Sequence, residues 1–211
     1  MRRIDQVHNF AVTMMSGDKT GHGFDHVQRV VNNARKILQS ETANSELVLT
    51  ATYLHDVFDD KLTDNPEKRK LETQHFLTSV GYSENEIKEI FHIIEHMSFS
   101  ANLEHHYELS IEGQIVQDAD RLDALGALGI ARLFSFGGVH NYQMYDPTET
   151  QVSHTKAEYR KQRATINHYE ERMNEMIKRF NTETGKQFAQ HRFDVANEFV
   201  QRFKSEWNQK S

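Results

Sequence analysis

Apolar residues recur every three or four positions through most of this 211-residue chain, and only two prolines and ten glycines interrupt them. That spacing marks one face of a 3.6-residue helix, and it constrains the fold more than any other feature. Val27, Val30, Val31, Ala34 and Leu38 form one stripe, and Leu47, Ala51, Leu54 and Phe58 another. Ile87, Ile90, Phe91 and Ile94 follow Ser83 and Glu86, whose three-residue separation reads as a capping box. Ile115, Ala119, Leu122, Leu125 and Leu128 give a further helix. Met173, Met176, Ile177 and Phe180, then Phe188, Val195, Phe199 and Phe203, close the chain and serve as core or dimer surface. No sustained two-residue alternation rich in β-branched residues appears, so strands are minor or absent. The pattern predicts an all-α fold of about seven or eight helices.

Breaks fall at "SGDKTGHG", "DDKLTDNP", "SFSANLEHHYELS" and "FGGVHNYQMYDPTET". None is a Gly/Ser or Pro linker, and no repeat is present, so one domain over 1–211 is expected. Its candidate site spans about residues 21–138, with C-terminal helices over about 156–211. Net charge is −6 without a concentrated Lys/Arg segment, which disfavours nucleic acid as a partner. No apolar run is long enough for a transmembrane helix, and the first residues do not form a signal core. The absence of cysteine excludes disulfides and thiolate metal sites and suits a cytoplasmic setting.

The stretch "TYLHDVFDDK" poses a chemical problem. A helix end favours cations, yet this one carries His55, Asp56, Asp59 and Asp60 before Lys61. A bound divalent cation would offset that density of negative charge. His26 and Asp120 are the further candidate ligands, from distant positions in the chain. Two imidazoles and two carboxylates suit Mn²⁺, Fe²⁺, Co²⁺, Ni²⁺ or Zn²⁺ better than Ca²⁺, with Mg²⁺ also admitted. Four protein ligands leave an octahedral ion two positions for water or substrate oxygens. His92 and His96 share a helix face by their i, i+4 spacing, which leaves a second ion open.

His26 in "DHVQRV", the doublet His55-Asp56 in "LHDVFDD" and Asp120 in "DADRLDALG" together resemble the HD superfamily of metal-dependent phosphohydrolases. The wider segments "GHGFDHVQRV" and "DADRLDALGALGIAR" are similar to its small bacterial hydrolases. The resemblance implies an all-α fold, one divalent metal and hydrolysis of a phosphoester or phosphoanhydride. Its substrate would be a small phosphorylated metabolite, and the small bacterial members favour nucleoside triphosphate pyrophosphohydrolysis. The alternatives are hydrolysis of a guanosine tetraphosphate-type alarmone and a non-catalytic metal-binding sensor or scaffold. Alarmone hydrolases of the superfamily carry Glu-Asp where this chain has Asp59-Asp60, which argues against the first.

Within that frame, Asp59 and Asp60 are the candidates to orient the attacking water or accept its proton. Lys61, Arg29 and Arg121 are candidate phosphate contacts, and His22 is a further candidate substrate residue. The loop from Phe136 to Thr150 is expected to cover the cleft, with Gly137-Gly138 as its hinge and Tyr142 and Tyr145 facing a base. A homodimer is compatible with the apolar stripe of the last two helices.

Overall fold

A computed structural model describes residues 1–15, 23–60, 62–99, 102, 105, 107–149, 155–159, 161 and 163–210. The helices run in the order α1 (Arg3–Met15), α2 (Phe24–Ile37), α3 (Ser45–Leu54), α4 (Pro66–Ser79) and α5 (Glu84–His96). They continue with α6 (Ile111–Asp123), α7 (Gly126–Val139), the one-turn α8 (Lys156–Tyr159), α9 (Thr165–Met176) and α10 (Glu183–Trp207). Among the described residues there is no strand, and the chain is all-α.

Local chemistry sets the helix starts. Asn44, Asn65, Ser110 and Thr182 each accept a backbone N–H of the first turn, and Pro66 occupies the first helical position of α4. The capping box expected at Ser83 and Glu86 forms. The predicted helix through Phe58 instead stops at Leu54, with His55 as its C-cap. A second departure lies between Leu122 and Leu128. The apolar spacing predicts one helix there, with Asp120 near the start of the long apolar segment. The structure places Asp120 near the end of α6 and breaks the chain at Leu125 and Gly126. Leu125 is extended (φ −105, ψ 165) and Gly126 has φ +73, which a side chain rarely tolerates.

The core runs through α2, α3, α5 and α6, where Val30, Val31, Leu54, Ile90, Ile93, Ile115 and Leu122 are fully or almost fully buried. Each such side chain contributes roughly 1.5–3 kcal/mol relative to exposure. Polar bonds fix the register within this packing. Asn33 on α2 donates to the Ala119 carbonyl on α6 at 3.0 Å. Arg192 on α10 donates to Asn33 Oδ1 and to the Leu122 carbonyl. Asp118 accepts the backbone N–H groups of Asn181 and Thr182, which seats the start of α10 on α6. The consequence is positional: α2, the end of α3 and the end of α6 are held in one place. Of the C-terminal apolar stripe, Met173, Met176 and Phe180 are buried, whereas Phe188, Val195 and Phe199 remain exposed on α10. Among the described residues no single helix is long and apolar enough to cross a membrane.

Candidate functional site

His26 projects from the first turn of α2, and His55 and Asp56 lie at and just past the end of α3. The Nε2 atoms of His26 and His55 face one another at 3.2 Å. Asp56 Oδ2 lies 3.6 Å from His26 Nε2 and 3.4 Å from His55 Nε2. Asp120 Oδ1 approaches the same two nitrogens at 3.5 and 3.9 Å.

The opposite edge of each imidazole decides what this arrangement can hold. His26 Nδ1 donates to Asp123 Oδ2 at 2.7 Å, and His55 Nδ1 donates to the Thr52 carbonyl at 2.8 Å. A carboxylate and a carbonyl only accept, so the ring protons belong on Nδ1. Each neutral ring then aims a lone pair from Nε2 into the same small space, beside carboxylate oxygens. Those groups repel one another unless a cation lies between them. Ligand atoms about 2.0–2.2 Å from an ion sit roughly 3 Å apart when adjacent, which matches these separations. His26, His55 and Asp56 are thus placed to hold a metal ion. All donors are nitrogen or oxygen, as expected for a transition-type divalent ion.

The two rings are shifted in opposite directions by their surroundings. Burial holds the His26 imidazole below its ordinary pKa despite its bond to Asp123. Burial also opposes charge on His55, but Asp56, Asp120 and Asp59 outweigh it and raise that ring. Asp123 is itself buried, yet His26 and Arg29 hold its carboxyl well below the usual carboxylate range. It also accepts from Arg29 Nε at 2.9 Å and from Arg132 at 2.7 Å. Asp123 is not among the site residues expected from the sequence. Its position three residues after Asp120, one turn along the same helix, was the available signal.

The cluster forms the floor of a cleft of about 320 Å³, within the usual range for small-ligand sites. Asp59 and Tyr142 line it, together with His26, Asp56 and Asp120. Two of its walls are helix faces. From α7 come Gly129, Arg132, Leu133 and Phe136, and from α9 come Thr165, His168, Tyr169 and Arg172. Both sets are spaced i, i+3, i+4, i+7, one stripe of a helix. Neither face stands out in the sequence: the α9 set is largely polar and looks like a solvated side, and the α7 set, apart from Arg132, looks like ordinary core.

Other expected site residues lie elsewhere. Asp60 is exposed and outside the cleft lining. Arg29 is engaged by Asp123 and Asp25 and opens on a separate recess with Lys36 and Arg192. Arg121 is buried and donates to the Arg179 carbonyl, and burial pushes its guanidinium down to about 10. Arg121 is not among the residues that line this cleft. Tyr145 packs edge-on against Phe203 and Trp207 of α10 rather than toward the cleft. His22 and Lys61 lie outside the described residues. His92 and His96 stack with centroids 4.4 Å apart, and His96 Nδ1 bonds the His92 carbonyl, a local helical contact.

The hinge expected at Gly137-Gly138 is corrected as well. Both residues lie inside α7, and a Cβ on Gly137 would meet Thr165 Oγ1 at 2.5 Å. Gly137 is small because α9 packs against it. The segment after α7 is pinned to the start of α9: Thr165 and Ile166 donate backbone N–H groups to the Gln143 and Met144 carbonyls at 2.8 and 2.9 Å. Asn167 adds bonds in both directions with Asp146. Tyr142 therefore reaches the cleft as part of a fixed wall rather than on a hinged flap.

Comparison with known proteins accords with this geometry. The family model of the HD domain matches residues 23–125. The chain is 31% identical over 207 residues to the uncharacterised protein YpgQ of Bacillus subtilis, covering 98% of this chain and 94% of that protein. The crystal structure of YpgQ in complex with ADP superposes with a TM-score of 0.78 at 29% identity, covering 97% of this chain and 94% of that one. A Lactobacillus plantarum protein gives a TM-score of 0.89 at 39% identity, over 98% and 97% of the two chains. An HD-superfamily hydrolase from Bacillus thuringiensis gives 0.75 at 34%, over 97% and 96%. The chain belongs to the HD superfamily of hydrolases.

Proposed function

We propose that this HD-superfamily protein is a divalent-metal-dependent phosphohydrolase that cleaves a nucleoside triphosphate to the monophosphate and pyrophosphate. The observation that carries the reading is the pairing of two imidazole lone pairs with acidic oxygens at the floor of a cleft walled by cationic and aromatic side chains. An acidic floor alone would repel a phosphate; with a divalent ion bound there it attracts one. ADP bound to the similar YpgQ supports a nucleotide as the ligand class.

His26, His55, Asp56 and Asp120 would hold the ion, which when bound lowers the pKa of a coordinated water and screens phosphate charge. Asp123 and the Thr52 carbonyl fix the two imidazoles so that Nε2 faces inward. Asp59, which lines the cleft beside Asp56, orients the attacking water and accepts its proton. The water oxygen bonds to the α-phosphorus, and the bond from that phosphorus to the bridging oxygen breaks. Pyrophosphate leaves with that oxygen and its electron pair, and Asp59 returns the proton to solvent. Tyr142 and Phe136, with ring centroids 6.0 Å apart, present an aromatic surface to the base.

The test is a hydrolysis screen of purified protein against nucleoside tri-, di- and monophosphates and guanosine tetraphosphate, with Mn²⁺, Mg²⁺, Co²⁺ or Zn²⁺. Pyrophosphate release from triphosphates, abolished in Asp56→Ala, is expected. Exclusive orthophosphate release, or turnover of the alarmone alone, would replace the reading.

A further inference from the structure

Asp123 has two arginine partners, and they are committed to different extents. Arg29 devotes its guanidinium to carboxylates. Its Nε and Nη2 donate to the two oxygens of Asp123 at 2.9 and 3.2 Å, and its Nη1 donates to Asp25 at 2.6 Å. Arg132 gives Asp123 one corner only. Its Nη1 donates to Asp123 Oδ2 at 2.7 Å and to the Asp123 backbone carbonyl at 3.3 Å, which uses both hydrogens of that nitrogen. A guanidinium carries five N–H donors, and the rest sit on Nε and Nη2. Those two nitrogens have no partner among the described residues. They share the edge with which an arginine binds a carboxylate or phosphate through two parallel bonds.

Arg132 lines the cleft on the same α7 stripe as Gly129, Leu133 and Phe136. The stripe lies tight against the end of α6, where a Cβ on Gly129 would collide with the Ala124 carbonyl. That approach lets Nη1 reach back to Asp123 from a side chain that also borders the cleft. Asp123 Oδ2 accepts from His26 Nδ1 at 2.7 Å as well, so Arg132 stands one carboxylate away from the imidazole that faces the ligand cluster. Charge points the same way. Asp123 divides one negative charge between two guanidinium groups, and Arg29 has Asp25 besides. Arg132 pairs with no other carboxylate among the described residues. It also lies beyond residue 125, where the match to the HD domain ends.

We propose that Arg132 is a substrate contact: Nε and Nη2 take the non-bridging oxygens of the nucleotide's α-phosphate while Nη1 keeps hold of Asp123. This rests on the reading of the site as a nucleoside triphosphate hydrolase, and it deepens that reading by naming the cation on the reacting phosphate. The phosphate that is attacked lies beside the ligand cluster, and Arg132 is one carboxylate from that cluster. Attack on the α-phosphorus builds negative charge on its non-bridging oxygens, and fixed donors aimed at them stabilise it. One guanidinium thus joins the reacting phosphate to the carboxylate that aims His26.

The experiment takes two variants through two titrations. Mn²⁺ affinity is measured by chelator competition without nucleotide, and the non-cleaved α,β-methylene analogue of ATP is titrated by calorimetry into Mn²⁺-loaded protein. Arg132→Lys keeps a cation on Asp123 but offers a point charge in place of the planar fork. It should hold Mn²⁺ within about threefold of wild type and bind the analogue about tenfold more weakly, the size of a lost charge-assisted hydrogen bond. Arg132→Gln removes the charge too and should weaken the analogue toward about a hundredfold. Analogue affinity that is unchanged in the folded variants, or that falls in Arg132→Lys only in step with Mn²⁺ affinity, overturns the phosphate contact and leaves Arg132 as a support for Asp123. Wild-type protein that binds the analogue yet releases no pyrophosphate from triphosphates overturns the hydrolase reading alone. Wild-type protein that binds no analogue overturns both.

Discussion

Asp123 grips the Nδ1 edge of His26 at 2.7 Å and so turns the Nε2 lone pair toward His55, Asp56 and Asp120. One carboxylate thereby sets both tautomer and aim of an imidazole it does not share with the floor of the cleft. Arg29 and Arg132 in turn hold that carboxylate from two sides. A ligand aimed by such a partner typically loses 10–100-fold in metal affinity when the partner is changed.

Asp123→Asn tests that relation. The amide keeps the shape but removes the anion that Arg132 bonds and that Arg29 shares with Asp25. Metal affinity should fall 10–100-fold by chelator competition, and stability in urea should fall by about 3 kcal/mol. Unchanged affinity in the folded variant would make Asp123 a purely structural residue.

Asp59 and Asp60 separate by position. Asp59 lines the cleft, whereas Asp60 is exposed outside it. Asp59→Asn should lower kcat by about 10²–10⁴-fold with metal content retained, as loss of a general base does. Asp60→Asn should change kcat less than threefold. The reverse order would place the water on the other side of the turn.

The metal-ligand candidates were legible in the sequence because His-Asp adjacency and distant His26 and Asp120 are features of residue type and order. The chain's path between them was less so. Apolar spacing continues through Leu122, Leu125 and Leu128, so periodicity alone cannot register that Gly126 breaks the helix with a left-handed backbone. At Gly137 the opposite occurs: two adjacent glycines read as freedom, while both lie inside a helix and Gly137 packs closely against Thr165. The cleft face of α9 is hidden for a third reason. His168 and Arg172 look like a solvated helix side until α7 is laid opposite them. Tertiary approach, which no local pattern encodes, distinguishes these cases.

Gly126→Ala probes the break between α6 and α7. A Cβ at φ +73 is strained, and Arg192 Cβ would lie 3.3 Å away. The left-handed conformation costs roughly 1–2 kcal/mol for an ordinary residue. That lowers Tm by about 2–8 °C in a chain of this size. Gly126→Asn should be milder, since Asn tolerates this region. Equal melting temperatures for all three proteins would contradict the backbone conformation.

His168 makes stability depend on pH in a stated direction. Its folded pKa of about 4, set by burial, Arg172 and Arg163, lies below the ordinary histidine value of 6.5. The unfolded chain therefore binds more protons between those limits. Stability from the neutral ring is present above pH 6.5 and is lost as pH falls toward 4. After allowance for partial exposure the effect is on the order of 2 kcal/mol. Subtracting the urea-unfolding profile of His168→Gln from that of wild type should isolate it. A difference that stays flat from pH 7 to 4 would exclude the depressed pKa.

Tyr142 and Tyr145 lie three residues apart in one segment but face different surroundings. Tyr142 lines the cleft and packs edge-on to Phe136, at 6.0 Å and 75°. Tyr145 sits against Phe203 and Trp207, with Lys204 Nζ 5.7 Å from its ring centre. The backbone between them is bonded to the start of α9, so removing either ring should leave the other in place. Tyr142→Ala should raise KM for nucleoside triphosphates about tenfold, with Tm within 2 °C of wild type, because about 1–3 kcal/mol is typical of base stacking on an aromatic ring. Tyr145→Ala should instead lower stability by about 1–2 kcal/mol through lost ring contacts on α10, with KM unchanged. Inorganic tripolyphosphate, which has no base, serves as the control: its binding should survive Tyr142→Ala. If Tyr142→Ala weakens tripolyphosphate and nucleotide equally, Tyr142 does not meet the base; if Tyr145→Ala raises KM, the two rings do not divide as their contacts indicate.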